Sequence, residues 1–383
     1  MDTEARRWAD HMEASGCWPD SSMWIRPAML ERAPRHEYAP DLVWVWNGDQ
    51  WAAVERTTEP DQWAAAIYGS PYDSTITQIT DSLPSSSLSC GSVVADMLDS
   101  LRLAPGDRVL ELGAGLGWNA ALLALQAGPG HVTSVEVDAT LAAEARKRLD
   151  AAGLGVDVHA GDGAAGWLAG APYDRIIATY AVETVPWTWV EQTRPGGRIV
   201  TPWGRLGHVA LTVADDGQSA SGWVQGLGMF MPSRGVDQGR EWDQIPRNGQ
   251  VETESPFPRA VEGLADSSLL FALRVLLPDI RITSRTDRSP MAWVHDGYSS
   301  WATISVTGPE GGAAVASQGG PRRLVDEIAV GWERWVHAGS PSLYDFGMTR
   351  TPDAQYLWVE DGEGGRQRWE PLQSSHHQSD QAA

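Results

Sequence analysis

Three acidic residues in the first half of this chain each sit at or just beyond the end of a short apolar run, and the first also opens a glycine turn. Glu111-Leu112-Gly113-Ala114-Gly115-Leu116-Gly117 puts a carboxylate directly ahead of alternating glycines. Glu136 closes the run from His131, and Asp162 lies in Gly161-Asp162-Gly163 after Val156–Ala160. Glycines let a backbone approach a ligand closely, and a helix beginning there presents free N–H groups. A dinucleotide uses such a turn for its pyrophosphate, but a carboxylate beside the turn repels a pyrophosphate and attracts a cation. A ligand with an ammonium, a sulfonium, a ribose diol and an adenine amino group suits all three acids, and S-adenosylmethionine is that ligand. Glu111 and the turn residues Gly113, Ala114, Gly115 and Gly117 are then expected at its amino-acid end. Glu136 accepts from both ribose hydroxyls, at the ~20-residue spacing of a ribose carboxylate. Asp162, with Gly163, faces the adenine. Asp138 competes with Glu136 and is expected to cap a helix.

Such residues need strand ends to hold them. Arg108–Leu112, His131–Val137, Val156–Ala160, Tyr173–Thr179 and Arg198–Thr201 read as short strands. Asn119–Leu125 and Thr140–Ala151 read as the helices between the first three. This alternation predicts a doubly wound, mostly parallel α/β sheet with ligands at the C-terminal strand ends. Upstream, Pro34–Pro40 is expected to be extended and Ser82–Ser87 a loop. Val93, Val94, Met97, Leu98 and Leu101 have helical spacing, with Ser89 or Ser92 as the cap. Residues 232–262, rich in Pro, Gly, Arg and Asp, read as a linker or an irregular excursion. Beyond it come an apolar stretch at Leu269–Leu277, a strand at Ser300–Val306 and an amphipathic helix at Leu324–His337 ended by Gly339 and Pro341. Residues 372–383 are polar and expected to fray. The expected organisation is an N-terminal extension over 1–81, a cofactor-binding domain over 82–235 and a C-terminal accessory α+β domain over 236–383.

Composition bounds the function. The 383 residues carry a formal charge of −21, which disfavours nucleic acid as a partner. No run of ~18 apolar residues suggests a membrane span, and no apolar signal core follows Met1. Two cysteines, Cys17 and Cys90, cannot build a disulfide framework, which fits a cytoplasmic protein. His36, His208 and His337 lack metal-ligand spacing, so no metal is expected. The 20 tryptophans read as packing residues, with some available to a peptide groove.

The runs Arg108–Ala124, Val135-Glu136, Gly161–Gly166, Ala171–Ile177 and Pro195–Val200 together resemble the protein L-isoaspartyl O-methyltransferases, a class I S-adenosylmethionine-dependent, Rossmann-like family. The resemblance covers about residues 65–205. It implies esterification of a peptide carboxylate, on a peptide or protein bearing aspartate or isoaspartate, by a monomer or weak homodimer. Ser89 matches the family's acceptor-contacting serine. The resemblance thus marks Ser86, Ser87, Ser89 and Ser92 as substrate-binding, and Ser87 and Ser89 as the catalytic pair that orients the acceptor without quenching it. The family's proline is replaced by Gly91, and Ser92 stands where some members have histidine. The serine-rich loop, Pro34–Pro40 and the runs Gly319–Glu327, Trp332–Trp335, Gly339–Pro341, Asp345–Thr349 and Leu357-Trp358 are similar to methyltransferases that mature ribosomal peptides of the ATP-grasp (graspetide) and lanthipeptide types. That similarity implies an ordinary aspartate in a precursor peptide as acceptor, its ester closing to a succinimide (aspartimide) or isoaspartate. It also implies peptide recognition by residues 236–383. General isoaspartate repair is the alternative, and a peptide-binding scaffold without turnover the second.

Overall fold

Val109–Leu112 are buried on both faces, as the central strand of a parallel sheet requires. The computed structural model describes residues 2–236, 239–247, 251–287, 289–306, 313–360 and 365–372. The chain divides into two compact units. The first comprises residues 1–203, 208–233 and 350–354, and the second 204–207, 234–349 and 355–383.

In the first unit, β5 (Val109–Leu112), α5 (Trp118–Ala127), β6 (Val132–Glu136), α6 (Ala139–Ala151), β7 (Asp157–Ala160), β8 (Tyr173–Ala178), α7 (Trp187–Glu191) and β9 (Thr193–Pro202) alternate except between β7 and β8, where two short 3₁₀ turns replace the helix. They precede β10 (His208–Val213) and β11 (Ala220–Gly226). The order across the sheet is β11-β10-β9-β8-β5-β6-β7. The pairs among β5 to β9 are parallel, and β10 runs antiparallel to both neighbours. The chain reverses its winding between β5 and β8, the switch point where such sheets bind ligands. This is the class I methyltransferase arrangement that the alternation predicts. β9 begins earlier than expected, because Pro195-Gly196-Gly197 is absorbed as an irregularity in pairing with β8 instead of preceding the strand.

Ahead of the sheet lie α1 (Asp2–Ala14), α2 (Arg35–Tyr38), β1 (Leu42–Trp46), β2 (Trp51–Glu55), α3 (Pro60–Tyr68), β3 (Thr75–Thr80), β4 (Leu83–Leu88) and α4 (Gly91–Leu101). Three expectations are corrected here. Pro34–Pro40 contains a turn of helix, since each proline constrains only the residue before it: Ala33 and Ala39 are non-helical, and the residues between them are free to coil. Most of Ser82–Ser87 lies in strand β4, with Ser82 in the turn that precedes it. Asp81 and Ser82 both adopt positive φ, 52° and 67°, the requirement of a two-residue hairpin turn whose twist suits the flanking strands. Pairing with β3 then overrides the local preference of serine for loops. Lastly, Cys90 is the N-cap residue of α4 and makes no side-chain cap. The first turn is tied instead by Ser92 N donating to Pro71 O.

These four strands form a second, antiparallel sheet in the order β2-β1-β3-β4. Val43, Val54 and Leu88 of its inner face join Trp63 and Ile67 of α3, together with Trp8 and Met12 of α1, in the hydrophobic core that also holds α4, α5 and α6.

The second unit contains a five-stranded antiparallel sheet in the order β12-β16-β15-β14-β13. Its strands are β12 (Thr253–Pro256), β13 (Arg281–Arg285), β14 (Met291–His295), β15 (Trp301–Val306) and β16 (Ala314–Gly319). Strand β12 lies inside the stretch expected to be a linker, where pairing with β16 organises residues of low strand propensity. Two helices, α8 (Ser267–Leu276) and α9 (Leu324–His337), pack closely: a Cβ on Gly331 would stand 2.8 Å from Leu273. Asp266 caps α8 by accepting from Leu269 N. β17 (Phe346–Arg350), β18 (Gln355–Glu360) and β19 (Arg366–Trp369) complete the described residues. Of the tail expected to fray, only Leu372 is described, and it donates to Leu276 O; the rest lies outside the described residues. Among the described residues no helix is long and apolar enough to cross a membrane.

Candidate active site

The three acids occupy three strand-end positions with distinct surroundings. Glu111, on β5, is wholly buried. Its oxygens accept from Asn119 Nδ2 at 2.9 Å and from the Ser134 hydroxyl on β6. Burial pushes its carboxyl up to about 7 against the pull of those two donors, and the nearby Glu136 adds to the rise. Glu111 therefore lies beneath the glycine turn, clamping the start of α5 to β6. Glu136 closes β6 and is also buried. Its Oε2 accepts from Gly115 N at 2.8 Å and its Oε1 from Asp138 N at 3.1 Å. A carboxylate oxygen accepts two bonds, so each retains one position. Asp162 Oδ1 accepts from Ala164 N at 2.9 Å and caps a short 3₁₀ turn, Gly163–Ala165. Asp138 caps α6 through Thr140 N and Leu141 N.

Gly113 and Gly115 take φ of 95° and 52°, a region that side chains with a Cβ rarely occupy. Their surroundings differ. A Cβ on Gly113 would stand 2.4 Å from Thr179 Oγ1, whereas one on Gly115 would meet nothing within 4 Å. The first glycine is needed for packing, and the second opens onto free space. Gly117 is the N-cap of α5, and Ala114 is buried. Tyr180, which the sequence reading missed, spans two turns. A Cβ on Gly163 would lie 2.5 Å from its hydroxyl, and one on Gly113 3.0 Å from its ring. Burial, then the charges of Asp162 and Glu136, raise its phenol above the ordinary value. Its only sequence signal is an aromatic residue two places past β8. Among the described residues, no arginine, lysine or histidine pairs with Glu111, Glu136 or Asp162. An open turn above unpaired carboxylates fits a cationic ligand with a diol and does not fit a pyrophosphate.

The serines separate by face. Successive strand residues point to opposite sides, so Ser86, 7% exposed, faces away from Ser85 and Ser87. Ser87 is half-buried opposite Ile76. Ser89 is half-buried just past β4. Ser92 is not with them, since its hydroxyl donates to Pro71 O at 2.9 Å. Ser86 is therefore turned inward and the Ser92 hydroxyl is committed to a backbone oxygen, which sets Ser87 and Ser89 apart from them. Ser85, not among the expected residues, shares the Ser87 face. It donates to Gln78 Oε1 at 2.9 Å, and Gln78 Nε2 lies 3.4 Å from Asp138 Oδ2. Gln78 thus ties the serine strand to the residues that end β6.

Arg35 holds that strand from behind. Its buried guanidinium donates to Ser89 O, to Leu88 O at 3.0 Å and to Thr75 Oγ1 at 3.1 Å, while burial lowers it to about 10. A planar fork with five donors suits three fixed acceptors. Gly91 has an equally local cause: a Cβ there would lie 2.1 Å from the Trp8 indole. The first helix of the chain packs where any larger residue at 91 would stand.

With this geometry in hand, the comparisons are specific. Residues 46–231 match the family model for protein-L-isoaspartate(D-aspartate) O-methyltransferase. The chain is 38% identical over 169 residues to the protein-L-isoaspartate O-methyltransferase of Hyperthermus butylicus, covering 70% of that protein and 41% of this chain. The chain belongs to the protein-L-isoaspartate O-methyltransferase family. The namesake enzyme of Methylorubrum extorquens (strain PA1) is 45% identical over 119 residues, 31% of this chain and 51% of that protein. The chain thus spans about half the length of some curated relatives it matches. A solved protein-L-isoaspartate O-methyltransferase structure is 19% identical, with 93% of this chain and 100% of that one covered, at a TM-score of 0.49. Strand β4, the glycine turn and all three acids lie inside the family's span. Arg35, Trp8 and nearly all of the second unit lie outside it.

Proposed function

We propose that the chain transfers a methyl group from S-adenosylmethionine to the side-chain carboxylate of an isoaspartyl or aspartyl residue in a polypeptide. The observation that carries this reading is the set of strand-end carboxylates without cationic partners, with Gln78 joining Ser85 of the serine strand to Asp138, two residues past Glu136. In this reading Glu136 holds the ribose hydroxyls, Asp162 and Gly163 lie at the adenine, and the turn from Gly113 to Gly117 receives the amino-acid end, with the Glu111 charge beneath it. When bound, S-adenosylmethionine supplies a methyl group already activated on a sulfonium.

The chain's own work is positional. A carboxylate of ordinary pKa ~3.9 is ionised at neutral pH and needs no base. Ser87, with Ser89, orients it by donating hydrogen bonds, which cost it less nucleophilicity than a full cation would. Arg35 fixes the backbone of that strand, and Gln78 sets it against the end of β6. Holding two reactants in line is worth up to ~7–11 kcal/mol.

The family relationship supports isoaspartate as the acceptor. A second reading, an ordinary aspartate in a ribosomally made precursor with closure of the ester to a succinimide, draws on the unit formed mainly by residues 234–349, almost wholly beyond the family's span. In that reading the second unit recognises the precursor. Gly91 no longer weighs for it, because Trp8 accounts for the glycine. Mass spectrometry of matched isoaspartyl and aspartyl peptides with S-adenosylmethionine tests both. Methyl gain on isoaspartyl peptides alone supports the first reading. Gain on an aspartyl precursor followed by loss of methanol supports the second, and gain on neither refutes both.

A further inference from the structure

The small sheet that carries the acceptor strand has two faces, and the one away from the core bears three tryptophans. Directly opposed residues in an antiparallel pair project to the same side. Ser87 opposes Ile76, Ile76 aligns with Trp44, and Trp44 opposes Ala53, so these four make one row across β4, β3, β1 and β2. Two places along β1 on the same face, Trp46 opposes Trp51, their rings 5.5 Å apart and edge-on. Val43 and Val54, on the other face, are buried in the core. The Ser87 row therefore belongs to the outward face. On that face Trp46 is 53% exposed, Leu42 and Ala53 are exposed, Trp44 and Trp51 are half-buried, and Ile76 between Ser87 and Trp44 is buried. Past Ile76 the β3–β4 register shifts, and there Ser85 bonds Gln78, which lies beside Asp138.

We infer that this face is a platform for the polypeptide substrate, with Trp44, Trp46 and Trp51 receiving an apolar or aromatic side chain that flanks the acceptor acid. The inference rests on the proposed carboxylate transfer, since it takes Ser87 as the place of the acceptor. Continuity decides the occupant. The aromatic group and the acceptor serine stand on the same side of one sheet with the buried Ile76 between them, so an extended substrate that presents its carboxylate at Ser87 and runs across the strands passes over Ile76 to the tryptophans. Strands are spaced ~4.8 Å apart, which puts β1 about 10 Å and β2 about 14 Å from β4. An extended chain crossing the strands at ~3.3 Å per residue covers that in about three to four residues. The preferred substrate is therefore an extended segment with a large apolar side chain about three or four residues from the modified acid.

The test uses fluorescein-labelled Gly/Ser peptides carrying one isoaspartate and one tryptophan, the latter moved through offsets of about two to eight residues on either side. Binding to the full chain with S-adenosylhomocysteine is read by anisotropy, and turnover with S-adenosylmethionine by methyl gain. Peptides with the three- and four-residue offsets should bind about five- to tenfold tighter than the tryptophan-free control, an effect on the scale of one aromatic contact. Trp46→Ala should erase that preference, and Trp46→Gln, which keeps bulk at an exposed position, should erase it without altering the thermal melt. Affinity independent of offset, or a preference that survives both substitutions, overturns the platform. Offset-dependent binding without methyl gain would support the platform and refute the transfer reading. Methyl gain indifferent to offset refutes the platform alone.

Discussion

Replacing Glu111 by glutamine removes a buried charge while keeping the shape of the clamp between β5, β6 and α5. The folded-state carboxyl lies at about 7, raised chiefly by burial, against 4.5 for the free group. A raised carboxyl favours the protonated folded state. Its contribution to stability is complete below pH ~4.5 and is lost as the pH climbs through ~7, a total of about 3 kcal/mol at 1.36 kcal/mol per unit. Between pH 5.5 and 8.5, a window clear of the isoelectric region near 4.7, about 2 kcal/mol of that loss remains. The glutamine variant has no such titration. Urea unfolding of both proteins at the two pH values gives a double difference in which all other groups cancel. The variant should gain about 2 kcal/mol on the parent over this interval, or several degrees in melting temperature. Asn119 and Ser134 still find partners, because the serine hydroxyl can turn to accept from the amide. A double difference near zero would mean that Glu111 titrates normally, and the buried-clamp description would fail.

Further outcomes follow from the same geometry. Glu136→Gln turns one acceptor end into a donor facing a backbone N–H, and should weaken S-adenosylhomocysteine binding by about ten- to a hundredfold in calorimetry; unchanged affinity would remove Glu136 from the cofactor site. Arg35→Lys keeps the charge but cannot reach three acceptors. It should raise KM for the peptide several-fold with little effect on KM for S-adenosylmethionine, and equal shifts in both would contradict its role behind β4. Gly91→Ala meets the Trp8 indole and should cost about 1–3 kcal/mol by overpacking. Combined with Trp8→Ala, which alone costs about 3–5 kcal/mol, it should show a favourable coupling in a double-mutant cycle. Strict additivity would deny the contact.

The parallel sheet was legible in the sequence because both of its signals are local: apolar runs of strand length, and glycine turns before helices. The positions of Glu111, Glu136 and Asp162 followed from those strands, but their surroundings did not. Whether a carboxylate faces a ligand or a neighbouring serine is decided by side chains from other strands, as Ser134 decides it for Glu111. The serine hairpin was misread because Asp81 and Ser82 supply a tight turn without glycine. The tie between Ser92 and Pro71 is not legible in the sequence, because the two lie 21 residues apart. Arg35 was invisible as a site residue, since its acceptors are mostly backbone oxygens, which leave no mark on the sequence.

That arginine makes the protein's front end indispensable to a part of the chain it precedes by 54 residues. Backbone oxygens at the end of β4 take their hydrogen bonds from a residue outside the stretch shared with the family. A chain shortened to residues 46–231 would keep the glycine turn and lose the Arg35 hydrogen bonds to Leu88 and Ser89. Support for the end of β4 is thus carried by a residue remote in sequence and adjacent in space.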